Sequence, residues 1–236
     1  MILTDTEILK ALEIGKRLTE KDLQATDSNL LPRGWIRIDP FPTEGQFGSC
    51  SVDLRLGEEF LIFKHSSVPY IDVRNANSRR FMQRVTGIKK GDPLILQAKE
   101  FVLATTAETV ALADDIMARL EGRSSLGRLG IIVHATAGVI DPGWEGRIVL
   151  ELANHNVLPI AIYPDMRICS LTFEQLSGPV KVPYRKKPGK KYAGQKRVVG
   201  SLIAYDREML GVDHNQLSLF GFDDIIDTEH ESGDIS

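Results

Sequence analysis

The sequence predicts an all-β sandwich or barrel-like fold that begins with a short helix. Short segments rich in branched apolar residues recur from Cys50 onward, and Gly or Pro separates them. Regularly spaced short strands with such breaks are typical of β-sandwiches and barrels. A chain of 236 residues with 42% hydrophobic and 26% charged residues suits one soluble globular domain, with or without a tail. We see no internal repeat.

The first predicted element is an amphipathic helix. Thr4 and Asp5 are candidates for its N-cap. Apolar residues then follow at helical spacing, namely Ile8, Leu9, Leu12 and Leu18.

The predicted strands come next along the chain. CSVDLRLGEEFLIF, residues 50–63, alternates apolar and polar side chains, which indicates a strand. The polar and basic residues 64–90 are typical of a long surface excursion, and residues 93–112 predict two strands with a turn near Lys99. Four more strand candidates follow residue 130: IIVHATAGVI, RIVLELAN, LPIAIYP and RICSLTFEQL.

The composition changes near the C-terminus. Residues 184–197 contain seven Lys or Arg, and they fit either a flexible surface run or a lid whose lysines close over phosphate. We expect this segment to be mobile until an anion binds. Residues 213–236 carry seven acidic residues and no Lys or Arg. We therefore divide the chain into a domain at 1–206 and an acidic tail at 207–236 that is either mobile or docked.

Charge and cysteine content restrict the partners and the compartment. A net charge of -3 argues against a general attraction to nucleic acid. Two cysteines, Cys50 and Cys169, make no disulfide framework and fit a reducing cytoplasm. Residues 1–10 do not resemble a signal peptide, and no uncharged run of about 20 apolar residues predicts a membrane span.

The loop GRSSLGRLG at 122–130 is the first candidate site. Arg123 and Arg128 bracket the hydroxyls of Ser124 and Ser125, and the glycines allow backbone N–H groups to approach a phosphate. The same residues fit a solvated turn with a helix cap at Ser124 or Ser125. The loop is not a P-loop, because G-x-x-x-x-G-K-[ST] is absent.

The second candidate is a carboxylate in an apolar strand. Asp141-Pro142-Gly143 predicts a turn before this strand. Strand alternation places Val149 and Glu151 on one face, and it places on the other face Ile148, Leu150 and Leu152. A carboxylate in such surroundings is either paired or a working base, and the residues alone leave both open.

A zinc site is not predicted. The five histidines are scattered, and the chain has no HExxH, no C-x-x-C and no zinc deaminase signature.

Together these stretches resemble the dCTP deaminase branch of the dUTPase-like superfamily. The TDTEI opening and SVDLRLG at 51–57 fit the family's N-terminal part. The other matching segments, in the family's order and spacing, are GRSSLGRLG, VHATAGVIDPGW, IVLEL, LPIAIYPDMRI, FEQLSGP, PY at 183–184 and KY…Q at 191–195. The resemblance implies that residues 1–206 form a mainly β, distorted jelly-roll-like barrel in a homotrimer with sites between subunits. It implies zinc-independent hydrolysis of dCTP to dUTP and ammonia.

The resemblance also implies residue roles. Glu151 matches the catalytic carboxylate, while Ser124 and Arg128 match the residues that hold the water and the pyrimidine amino end. Asp141 matches the residue that reads the sugar 3′-hydroxyl. The implied nucleotide contacts are Arg123, Ser124, Ser125, Leu126, Gly127, Arg128, Ala137, Asp141, Val149, Leu150, Glu151, Tyr184, Lys191 and Gln195. Magnesium is expected to bind through the triphosphate and not in a protein cage.

Other functions stay open at this point. TAGVID at 136–141 favours a bifunctional enzyme that also releases pyrophosphate and forms dUMP, whereas Ser170 favours dUTP because bifunctional relatives commonly have Gln there. Glu151 disfavours a plain dUTPase. An inactive nucleotide sensor that binds a partner through its tail is a further alternative. His134 is either a half-buried strand histidine or part of a feedback response to dTTP. The resemblance says nothing about residues 24–48 or the tail.

Overall fold

The structure is a computed structural model that describes residues 1–23, 31–64, 70–75, 81–89 and 91–206. The chain divides into two compact units, residues 1–63 with 82–199 and the described parts of 64–81 with 200–236. The second unit contains the 3-10 helices Val73–Asn75 and Ile203–Tyr205, which contact each other. The predicted tail at 207–236 and residues 24–30 lie outside the described residues, so the boundary at 206 stays a prediction.

The first unit contains the α-helices and strands that the structure describes. Its helices are α1 (Asp5–Gly15), α2 (Glu20–Leu23) and α3 (Ser124–Gly127), with 3-10 turns at Glu44–Gln46 and Tyr184–Lys186. Its strands are β1 (Ile36–Asp39), β2 (Ser51–Phe63), β3 (Met82–Val85), β4 (Leu94–Leu96), β5 (Phe101–Leu112), β6 (Ile116–Gly122), β7 (Ile131–Ile132), β8 (Val139–Ile140), β9 (Glu145–Asn154), β10 (Ile160–Ile162) and β11 (Arg167–Gln175).

The strands form one antiparallel sheet in the order β7-β9-β5-β2-β11-β6-β8, with β1 beside β5 and β3 beside β2; β4 and β10 pair separately. Strand β2 belongs to both halves of the sheet, because its first residues pair with β11 and its last with β5. The register shifts between Leu56 and Phe60, and a Cβ on Gly57 would lie 2.9 Å from the Thr105 carbonyl oxygen. Glycine thus permits the close contact at this bulge. The predicted mainly β, jelly-roll-like class is confirmed.

Helix α1 confirms the predicted N-terminal helix. Thr4 is its N-cap and forms a capping box with Glu7. Ile8 and Leu12 are buried, whereas Leu9 is 42% exposed, so not every apolar residue of the predicted helix faces the core. Leu18 lies beyond the end of the helix at Gly15.

Most predicted strands are present, with three corrections. Five candidates are present: 50–63 is β2, 93–112 is β4 with β5, RIVLELAN is β9, LPIAIYP contains β10 and RICSLTFEQL contains β11. At the predicted turn between β4 and β5, Lys99 adopts a positive φ of 64°. The prediction that 64–90 is all surface excursion was wrong at β3, which pairs with the end of β2. IIVHATAGVI is two short strands, β7 and β8, around a loop at 133–138. Strands β1 and β6 were not predicted.

A buried ion pair joins β2 to β5. The Glu108 side chain is 0% exposed, and its Oε1 lies 2.7 Å from Arg55 Nε. Its Oε2 accepts a hydrogen bond from Arg55 N at 2.9 Å, and Gln46 Nε2 donates to Oε1 at 3.2 Å. The hydrogen bond to Glu108 raises the pKa of Arg55. These bonds satisfy a carboxylate whose burial alone is costly.

Candidate active site

Glu151 lies on the half-buried face of β9, as the alternation predicts. Ile148, Leu150 and Leu152 are buried in the core, whereas Val149 and Glu151 are partly exposed. The Glu151 N–H donates to the Val133 carbonyl at 3.0 Å, and Oε2 accepts a hydrogen bond from Ala135 N at 2.7 Å. Among the described residues no cation forms an ion pair with this carboxylate. One carboxylate oxygen is thus held by a backbone donor.

The loop at 122–130 forms one turn of helix at the end of β6. Arg123 is the N-cap of α3 and makes no side-chain cap bond, so the alternative of a helix cap at Ser124 or Ser125 was wrong. The Arg123 carbonyl accepts hydrogen bonds from the backbone N–H groups of Leu126 at 2.9 Å and Gly127 at 3.0 Å. Leu126 is buried, while Ser124, Ser125 and Arg128 are exposed. The turn therefore leaves two hydroxyls and a guanidinium available to a ligand.

Val133 connects this loop to Glu151. Its carbonyl accepts the Glu151 N–H, and a Cβ on Gly122 would lie 3.5 Å from Val133 Cγ2. Strand β7 follows the loop and pairs with the end of β9. Within one chain, the hydrogen bonds of the described residues include none between Glu151 and either Ser124 or Arg128.

The loop at 133–138 lies between β7 and β8. His134 is half-buried, as expected, but it is not in a strand, because the loop backbone leaves the sheet here. Its Nδ1 is buried without a hydrogen-bond partner in the described structure. A Cβ on Gly138 would lie 3.2 Å from His134 Cε1. Ala137 is exposed.

The Asp141-Pro142-Gly143 turn leads into β9 and holds the segment that begins at Pro183. Gly143 has φ 76°, and a Cβ there would lie 2.6 Å from Pro183 Cβ. The Tyr184 N–H donates to the Pro142 carbonyl at 2.8 Å. Its ring lies 5.2 Å from the Trp144 ring, and burial raises the pKa of Tyr184. Asp141 is half-buried.

Gln195 and Arg185 attach the basic segment at 184–197 to the same unit. Gln195 is 5% exposed, and its Nε2 donates to the Arg147 carbonyl at 2.9 Å. Arg185 Nη2 donates to Asp114 Oδ2 at 2.7 Å. Lys191 lies between these attachments, with Nζ 6.0 Å from the centre of the Tyr192 ring. The expectation that this segment is mobile until an anion binds, and closes as a lid, stays a prediction.

The implied site residues form two groups along β9. One group surrounds Glu151 and the loop at 122–130, and the other surrounds Tyr184 and Gln195 at the start of the strand. Arg147, which holds Gln195, is four residues from Glu151, or about 13 Å at the usual rise per strand residue. Among the described residues the two groups are thus separated within one chain. Inside the first group Val133 links the loop to Glu151, but no hydrogen bond joins Glu151 to Ser124 or Arg128.

The sequence analysis missed the partners of Arg123. Its Nε lies 3.1 Å from Asp53 Oδ2, and its Nη1 donates to the Arg167 carbonyl at 3.1 Å. Asp53 stands in SVDLRLG, which was noted as a segment, but neither Asp53 nor Arg167 carries a local signal that connects it to Arg123.

Within the described residues, no group of three or more His, Cys, Asp or Glu could hold a metal ion. No helix there has both the length and the apolar character needed to cross a membrane. Cys50 is exposed and Cys169 is buried, both as free thiols, and burial raises the pKa of Cys169.

Comparisons with known proteins identify the family of this chain. The profile described as dCTP deaminase-like matches residues 2–176. A dCTP deaminase from Thermomicrobium roseum is 48% identical over 205 residues, which cover 86% of this chain and 94% of the relative. A dUMP-forming dCTP deaminase from Dictyoglomus thermophilum is 47% identical over 206 residues, which cover 87% of this chain and 96% of the relative. The crystal structure of 2'-deoxycytidine 5'-triphosphate deaminase from Agrobacterium tumefaciens superposes with a TM-score of 0.53 at 23% identity, over 74% of this chain and 48% of that one, and supports the fold.

Proposed function

Because the chain belongs to the dCTP deaminase-like family, we propose that it is an enzyme that hydrolyses dCTP to dUTP and ammonia without zinc. The observation that carries the proposal is the Glu151 carboxylate, half-buried on β9, with Oε2 held by Ala135 N at 2.7 Å. A carboxylate fixed by one oxygen keeps the other oxygen for a water molecule. It is a suitable general base at a pyrimidine ring.

The chemistry assigned to Glu151 balances as a hydrolysis. Water adds to C4 of the cytosine while Glu151 takes one proton from that water and passes it to N3 of the ring. Glu151 then takes the second proton from the new C4 hydroxyl and passes it to the amino group, so that ammonia departs as the C4 carbonyl forms. Ser124 and Arg128 supply fixed donors toward the water and the pyrimidine end, where charge develops in the transition state. Both side chains are exposed on the turn formed by α3.

The nucleotide contacts are assigned by position. Arg123, Ser125 and Lys191 are placed on the triphosphate, together with Tyr184 and Gln195. Asp141 is placed on the sugar hydroxyl. The base is assigned to Ala137 and the backbone of Val149 and Leu150. Leu126 and Gly127 are assigned to the nucleotide as a whole. Magnesium is assigned to the phosphate oxygens, since it keeps several waters and commonly binds through substrate phosphates.

We assign the active sites to the interfaces of a homotrimer. The separation of the two residue groups along β9 supports this assignment, as does the exposure of Ser124 and Arg128 with no hydrogen bond to Glu151 in the same chain. Mixed trimers of Glu151→Gln and Arg128→Ala subunits are expected to recover activity that neither variant has alone. Activity is measured after the mixed species has been isolated with two different affinity tags. An inactive mixed trimer would place both residues in one chain's site.

The proposed product is dUTP, with dUMP as the alternative. Of two relatives with almost equal identity to this chain, one is named dCTP deaminase and the other is named as its dUMP-forming type. Ser170 on β11 pairs with Asp53 and Glu121 on the neighbouring strands, and its side chain is shorter than the Gln expected of bifunctional relatives. Pyrophosphate release also needs a second water in line with the α-phosphate.

Phosphorus NMR of dCTP with enzyme and magnesium measures this prediction directly. We expect ammonia release with the triphosphate resonances retained on the deaminated product. Pyrophosphate that forms as fast as ammonia would establish the bifunctional alternative. Absence of ammonia would count against deamination and favour the nucleotide-sensing alternative.

Two further proposals have tests of their own. Assays of dCTP deamination with added dTTP test feedback inhibition. Cell fractionation tests the proposed cytoplasmic location.

A further inference from the structure

Arg123 lies in a group of charged side chains that we call the Asp53 cluster: Asp53, Arg123 and Arg167. Asp53 is on β2, Arg167 begins β11, and Arg123 directly follows β6. Strand β11 lies between β2 and β6, so three elements far apart in sequence place these side chains together. The fold thus builds a carboxylate into the position next to an arginine that the proposed function assigns to phosphate.

The contacts of Arg123 fix its orientation. Nε lies 3.1 Å from Asp53 Oδ2, and Nη1 donates to the Arg167 carbonyl at 3.1 Å, while Nη2 donates to no described residue. One guanidinium nitrogen donates a hydrogen bond and a second lies in an ion pair, and together these two contacts restrict the rotation of the planar group. The remaining nitrogen is then directed by the protein and not by the ligand.

The charges of the cluster favour an anion. Arg167 Nη1 also lies 3.4 Å from Asp53 Oδ2, so two guanidinium groups share one carboxylate and leave one excess positive charge. The side chains of Asp53, Arg123 and Arg167 are 18%, 26% and 45% exposed. The carboxylate is the most buried member, and the cations lie nearer to the solvent. This arrangement, with the carboxylate beneath two more exposed guanidinium groups, fits a site in which the cations face a phosphate and the carboxylate supports them.

We propose that Asp53 is a positioning residue that orients Arg123 for binding of the substrate triphosphate. The inference rests on the proposed function for the identity of the ligand, but the cluster's geometry is independent of the deamination step. Asp53 acts through Arg123 and touches neither the base nor the reacting carbon.

Charge and positioning predict opposite effects of removing this carboxylate. Asp53→Asn raises the cluster charge from +1 to +2, and if charge alone mattered, triphosphate affinity would rise. If Asp53 positions Arg123, the neutral amide loses the charge-assisted contact, the guanidinium rotates, and affinity falls. A rise in triphosphate affinity would therefore indicate the charge effect, and a fall would indicate positioning of Arg123.

The experiment compares dCTP, deoxycytidine and inorganic tripolyphosphate on the full-length Asp53→Asn protein. We expect the KM for dCTP and the Kd for tripolyphosphate to rise about tenfold, the size expected for loss of one contact of about 1.4 kcal/mol. The kcat for dCTP should change less than twofold, and deoxycytidine binding should be unchanged. In the Arg123→Ala background, Asp53→Asn should have no further effect on tripolyphosphate binding.

Glu174→Gln is the matched control, because Glu174 pairs with Arg119 on the same strands β11 and β6 away from the cluster. It should leave all these constants unchanged. Tighter or unchanged tripolyphosphate binding by Asp53→Asn would overturn the proposal, and so would equal losses for deoxycytidine and dCTP. If the wild-type protein released no ammonia, the proposed deamination would be refuted but the role of Asp53 would still be testable. The Kd for tripolyphosphate is measured by calorimetry, which needs no turnover.

Discussion

Replacing Glu151 by glutamine is expected to lower the rate of dCTP deamination by about 10³-fold, within the range attributed to general acid–base catalysis. Glutamine keeps the size of the side chain and an oxygen that can accept from Ala135 N at the position now 2.7 Å away. It cannot take a proton from water. Stopped-time ammonia assays measure the rate, and calorimetry with dCTP should show binding retained within a few-fold.

Glu100→Gln provides the control for this substitution. Glu100 is also half-buried, and its Oε2 accepts a hydrogen bond from a backbone N–H, that of Gln97, at 2.7 Å. Because it lies outside the proposed site, its substitution should leave turnover within twofold of the unmodified protein. Near-normal turnover by Glu151→Gln would remove Glu151 from the mechanism.

Arg55→Met is expected to reduce the free energy of unfolding by about 3–5 kcal/mol, the usual cost of leaving a buried charge without its partner. Glu108 is 0% exposed and would keep only the Gln46 amide at 3.2 Å and the backbone N–H of residue 55 at 2.9 Å. Urea denaturation at one fixed protein concentration measures the change.

Two further variants separate this pair from surface electrostatics. Adding Glu108→Gln to Arg55→Met should restore part of the lost stability, because the unpaired charge is gone. Arg119→Met breaks the more exposed pair with Glu174, and it should cost about 1 kcal/mol or less. Equal losses for Arg55→Met and Arg119→Met would mean that the Glu108 pair is no more important than an exposed one.

Local pattern was sufficient for the elements whose partners lie nearby in sequence. The period of two along β9 placed Glu151 on the half-buried face because adjacent strand residues point to opposite sides. The Thr4 cap and the Asp141–Gly143 turn were predictable because each depends on a few consecutive residues. Leu9 is exposed although it belongs to the apolar pattern of the helix, since helical spacing alone does not determine the width of the buried stripe.

Strands β1, β3 and β6 show where local pattern was insufficient. β3 reads as polar surface, with Gln83 and Arg84 exposed, but its backbone completes the sheet beside the end of β2. Backbone pairing is nearly independent of side-chain polarity, so an edge strand can have a sequence that resembles a loop.

By itself the sequence determined the strand faces, the N-terminal cap and the motifs whose resemblance selected Glu151, Ser124 and Arg128 as the reacting groups. Only the tertiary structure decided what those groups touch. It placed Ala135 N on Glu151, Asp53 and Arg167 around Arg123, and Arg55 on the buried Glu108. The reason is physical: these partners are 16 to 70 residues apart, and local periodicity contains no information about which distant strands become neighbours.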